Sequence, residues 1–101
     1  MDNLQLNIAE QVSSGFITID SIEDFENLLK RFPNDPALQK ASADLLAKKN
    51  QTDAAALSYS KAATRFLKSG KFLPAIVSKV YAWRLKSPSY QEAQLFFISR
   101  A

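Results

Sequence analysis

The chain has 101 residues, 47% of them hydrophobic and 23% charged, with a net charge of +3. That is one domain's worth of an ordinary globular composition, with room for a small core. Cysteine and histidine are both absent, which excludes disulfides, thiolate and imidazole metal sites, and every Ser-His or Cys-His mechanism.

Only 2 glycines and 4 prolines interrupt the chain, and that scarcity predicts an all-α fold. The start, Met1-Asp2-Asn3, carries no basic flank and no long apolar run follows it. Neither a signal peptide nor a membrane span is expected, which places the protein in the cytoplasm. Charge is divided unevenly: residues 1–35 balance to −5 and residues 36–101 to +8. Such a split marks either an anionic partner for the basic half or complementary ends of one domain.

Leu4, Ile8 and Val12, with Ala9 between them, share one face of a short helix over residues 3–14. Ser13-Ser14-Gly15 stops it, and Phe16-Ile17-Thr18-Ile19 reads as an extended connector. Asp20 or Ser21 caps the next helix, whose stripe is Ile22, Phe25, Leu28, Leu29 and Phe32. Glu23, Asp24 and Glu26 open that helix and Lys30 and Arg31 close it, in keeping with the macrodipole. Pro33 ends it.

Asp35 and Pro36 start a helix that runs through Leu38, Ala41, Leu45 and Leu46 to Lys49, with Asn50 in the left-handed conformation beyond it. Thr52 is expected to cap the next helix, which buries Ala55, Tyr59, Ala62, Ala63, Phe66 and Leu67 and ends at Gly70. Another begins near Phe72, with Pro74 tolerated in its first turn. Ile76, Val80 and Trp83 share one of its faces, and Val77, Tyr81 and Leu85 another. After Ser87-Pro88, Ser89 and Glu92 have capping-box spacing for a terminal helix over 89–101.

Tyr59 to Ala82 carries a recognisable pattern. Tyr59-x-x-Ala62-Ala63-x-x-Phe66 precedes Gly70-x-Phe72-x-x-Ala75-Ile76 and then Ala82. It resembles a tetratricopeptide (TPR) helix pair, in which small residues let two helices approach closely. A second match, Ser42-Ala43-x-x-Leu46 followed by Ala55-x-x-x-Tyr59-x-x-Ala62, lies 20 residues earlier. The resemblance covers residues 21–88 and implies TPR-like antiparallel hairpins, about five helices in all, within one domain over 1–101. Lys79 and Gln39 occupy positions where the pattern favours aromatics. The two matches also share the helix 53–69. These departures imply a compact bundle rather than an extended array. A fainter similarity links Asn34-Asp35-Pro36-Ala37-Leu38, Leu73-Pro74-Ala75-Ile76 and Trp83-Arg84 to helical N-terminal regions of bacterial cyclic-nucleotide-binding regulators. It implies an accessory module, the N-terminal fragment of a larger regulator.

No catalytic, cofactor-binding or metal-binding set emerges. Gly70-Lys71 lacks the earlier glycine and the following hydroxyl of a phosphate loop. Glu23, Asp24 and Glu26 are first-turn charges with no base beside them. Two surfaces remain. Leu95, Phe96, Phe97 and Ile98 are consecutive, so they cover the circumference of the last helix and mark a candidate partner interface. That helix is expected to pack against a further C-terminal domain or to form a homodimer. Lys61, Arg65, Lys68, Lys71 and Lys79 form a candidate basic face, with Tyr59, Tyr81 and Trp83 interleaved. Core spacing accounts for those aromatics better than base stacking. The sequence therefore favours a non-enzymatic protein-interaction or scaffold module, with a nucleic-acid-binding helical domain as the alternative.

Overall fold

The computed structural model describes residues 11–12 and 18–100, apart from the side chains of 97–100. Among residues 18–100 five helices follow in chain order: α1 (Ile22–Arg31), α2 (Pro36–Lys48), α3 (Thr52–Lys68), α4 (Phe72–Leu85) and α5 (Tyr90–Arg100). Among the described residues there is no strand, so the fold is all-α. The predicted N-terminal helix and connector fall largely outside the described residues. Of them, Gln11 and Val12 are helical and residues 18–20 have no regular structure.

Local chemistry fixes most of the helix ends. Ser21, rather than Asp20, caps α1, its Oγ accepting the Asp24 amide at 3.3 Å. Asp35 Oδ1 accepts the Leu38 amide at 3.1 Å, and Pro36 takes the first helical position. Ser89 Oγ does the same for Glu92 at 3.1 Å. Two C-termini close with a Schellman pair of bonds. After α2, Asn50 has φ 62° while the amides of Asn50 and Gln51 reach Ala47 and Leu46 carbonyls. After α3, Gly70 has φ 75° while Gly70 and Lys71 reach Leu67 and Phe66. The first of these turns corrects one expectation. It is so tight that Thr52 is already helical, and Gln51 stands at the cap position without a side-chain bond.

Three clusters build the interior. Phe25, Leu38, Leu45 and Val12 are buried together, with Ile22, Leu28, Leu29 and Phe32 against them. Burying each large side chain here contributes about 1.5–3 kcal/mol. The other two clusters depend on small residues: Ala43 and Ala82 around Tyr59, and Ala62 and Ala75 around Phe66. Phe66 meets Ala75 while Tyr59 meets Ala82, so α3 and α4 run antiparallel. Likewise Arg65 bonds Gln39 while Tyr59 bonds Asp44, so α2 and α3 run antiparallel. Helix α3 is therefore central, packed by α2 on one flank and α4 on the other.

Candidate functional site

Helix α4 holds its residues in an uncommon arrangement. Its buried positions are all small: Ala75, Ser78 and Ala82. These lie three and four residues apart and form one seam against α3. The opposite side presents Leu73, Val77 and Val80, spaced four and three apart, with exposures of 72%, 39% and 44%. Phe72 and Tyr81 flank this stripe and are also exposed. Small residues face inward because only they let α3 and α4 approach closely. The large ones are consequently turned to solvent.

A hollow of about 190 Å³ opens beside the stripe, lined by Ala47 of α2, Tyr59 of α3, and Tyr81, Arg84 and Leu85 of α4. Its aromatic walls are held on several sides. The Tyr59 hydroxyl donates to Asp44 Oδ1. Burial, then that bond and the Asp44 charge, push the phenol far above its ordinary value. The Tyr59 and Tyr81 ring centroids are 5.5 Å apart. Lys40 Nζ sits 5.2 Å from the Tyr81 centroid and 3.4 Å from Asp44.

On the other edge of α4, Lys79 gathers α3 and α5. Its side chain is only 12% exposed. Its Nζ lies 3.3 Å from Ser60 Oγ and 3.9 Å from Glu92. It also lies 5.7 and 5.6 Å from the ring centroids of Trp83 and Phe96. Those two rings meet edge to face at 5.7 Å. Below them a cleft of about 240 Å³ is lined by residues that include Asp53, Leu57, Trp83 and Glu92.

The expected basic face is only partly assembled. Lys61, Arg65 and Lys68 do line one shallow groove on α3, together with Ser60 and Thr64. Arg65 is half-buried and donates to Gln39 Oε1. Lys71 is exposed at the start of α4 and does not line that groove. Lys79 is turned into the α3–α4–α5 junction. Of the expected apolar interface, Leu95 is 67% exposed, while Phe96 is half-buried on Trp83. The side chains of Phe97 and Ile98 lie outside the described residues.

Two features escaped sequence reasoning, and both had signals. The outward stripe of α4 was foreshadowed by the Ala75, Ser78, Ala82 spacing, which competes with the large residues for the inward face. The buried polar clasp between α2 and α3 was foreshadowed by Gln39 at a position where an aromatic is usual. Gln39 is 7% exposed, its Nε2 donating to Ser58 Oγ at 2.7 Å, and Ser58 Oγ donates to the Gln39 carbonyl at 3.1 Å.

Fold and surfaces together define an all-α helical protein. Among the described residues, no group of acidic side chains could hold a metal ion and no helix is long and apolar enough to cross a membrane. No family model matches the chain, nor does any curated protein or solved structure.

Proposed function

We propose that this chain is a protein-interaction module, a TPR-like scaffold or regulatory element without catalysis of its own, that docks a partner on the outer face of α4. The observation that carries this reading is the inverted packing of that helix. Ala75, Ser78 and Ala82 occupy the seam, and Leu73, Val77 and Val80 stand in solvent. Contiguous exposed apolar side chains on a small domain mark an interaction surface. Exposed Leu95 adds a second apolar element on α5. The test is a photo-crosslinking amino acid placed at Val77, with Thr64 on the α3 groove as control, in the cells that make the protein. Discrete protein adducts from Val77 and none from Thr64 are expected. Adducts from neither position, or from Thr64 alone, would end the proposal.

A second reading rests on the α3 groove of about 350 Å³, where Lys61, Arg65 and Lys68 converge with the hydroxyl-bearing Ser60 and Thr64. Such a groove suits the phosphates of a nucleic acid. Titration against single- and double-stranded DNA and RNA at rising salt tests it. Binding that weakens steeply with salt, and that Lys61→Glu abolishes, would favour it over the first.

A further inference from the structure

We infer that the hollow beside α4 receives one large apolar side chain of a partner helix that carries carboxylates next to that anchor. This rests on the reading of α4 as the docking face and narrows it to one class of partner.

Size sets the first limit. Pockets for drug-sized molecules run to about 300–1,000 Å³. The hollow, at about 190 Å³, is smaller and suits a single side chain. Interfaces concentrate their affinity in such holes, where an anchor is desolvated by well-packed walls. The walls here are prearranged. Tyr59 is tied to Asp44, and Tyr81 is held between the Tyr59 ring and Lys40. Little ordering remains to be done when the anchor enters.

Charge sets the second. Helix α4 has no acidic residue between Phe72 and Leu85. Arg84 lines the hollow and lies on the same helical face as Leu73, Val77 and Val80, four residues beyond the last of them. It is exposed, and among the described residues no carboxylate pairs with it. Exposed Lys71 and Lys86 bracket the helix. The nearby Asp44 is engaged by Tyr59 and Lys40. An apolar stripe with an unopposed cation at its end complements an amphipathic helix bearing Asp or Glu within a turn of its anchor. The stripe from Leu73 to Arg84 is about 16 Å long at the helical rise of 1.5 Å per residue, enough for three turns of such a helix. An anionic bilayer shares the charge but has no knob to fill the hole.

Synthetic helical peptides of about 20 residues test this against the full chain. One has leucines along one face and glutamates flanking them. A second replaces the glutamates with lysines, and a third replaces the leucines with alanines. Binding is followed by amide chemical shifts. The glutamate peptide is expected to move Val77, Tyr81, Arg84 and Leu85, and to bind about tenfold tighter than either control. Arg84→Glu should reverse the preference between glutamate and lysine peptides. Tyr81→Ala should weaken the leucine peptides without reversing it. Equal binding of the two charged peptides, or shifts confined to α3 or α5, would overturn the inference. So would binding to vesicles containing phosphatidylserine that moves the same α4 amides while the peptides do not. If Val77 gives protein adducts in cells but no glutamate preference is found, α4 remains a docking face and only the partner's chemistry is wrong.

Discussion

Tyr59 on α3 donates its hydroxyl proton to the Asp44 carboxylate on α2, while its ring packs on Ala43 and Ala82. One side chain thus joins all three central helices, with a polar tip to α2 and an apolar body to α4. The phenol is held far above its usual value, first by burial and then by Asp44. The folded state therefore binds the phenolic proton more tightly than the unfolded chain does. This contribution is fully present below about pH 10, the unfolded value. It is lost as pH rises from there through the folded value. Tyr59→Phe should lower stability near neutrality by about 1 kcal/mol. The gap between the two proteins should shrink above about pH 10. Urea denaturation at several alkaline pH values measures it.

The small-residue seam should reject bulk on one side of α4 and accept it on the other. Ala75 is fully buried at the α3 contact, whereas Val77 is 39% exposed. Ala75→Leu should cost about 1–3 kcal/mol through overpacking. Val77→Leu should change stability by less than about 0.5 kcal/mol, as surface substitutions do. Thermal unfolding of the two variants side by side checks the orientation of the helix directly.

Ser78 lies in the same seam, completely buried, and among the described residues its Oγ has no hydrogen-bond partner. A buried hydroxyl left unbonded costs about 1–3 kcal/mol. Ser78→Ala keeps the small volume and removes that cost. The variant should be more stable than the parent by about 1 kcal/mol, read as a higher urea midpoint with an unchanged slope.

Gly70 closes α3 at φ +75°, and among the described residues beyond its two chain neighbours no atom lies within 4 Å of the position a Cβ would take. The space is open, so only the backbone conformation resists substitution. Gly70→Ala should cost about 1–2 kcal/mol. Gly70→Asn should cost less, because asparagine adopts this conformation at Asn50. Equal losses from the two variants, measured by thermal melting, would contradict the argument.

Helix α5 is joined to the rest through Lys79, Glu92, Trp83 and Phe96. Phe96→Ala removes the edge-to-face contact at 5.7 Å, which is worth about 0.5–1.5 kcal/mol beyond area. It should shift the emission of Trp83, the chain's one tryptophan, toward longer wavelength. Glu92→Gln should produce a smaller shift, since Glu92 is half-exposed and its ion pair is long.

Periodicity, caps and turn residues made much of the fold legible. Ser21, Asp35, Asn50, Gly70 and Ser89 each do locally what their chemistry dictates, and local chemistry is visible in a linear chain. The candidate site was less legible. Of the terminal apolar run, Leu95 is exposed, whereas Phe96 is partly covered by Trp83. The bases at 61, 65 and 68 meet in one groove, yet Lys79 is drawn away by Glu92 and two rings. A helical period shows which residues share a face but not what that face meets.

By itself, then, the sequence determined that the fold is all-α, where most helices begin and end, and that small residues line the contact between α3 and α4. Those outcomes follow from backbone preferences and side-chain size within a few residues. The tertiary structure alone decided which side of α4 faces water. Helix α4 is apolar on nearly every side, so its own pattern permits several orientations. Close packing against α3 selects Ala75, Ser78 and Ala82 for the interior, because larger groups do not fit the seam. That selection turns Leu73, Val77 and Val80 outward and places Arg84 beside Tyr59 and Tyr81 in the lining of the hollow.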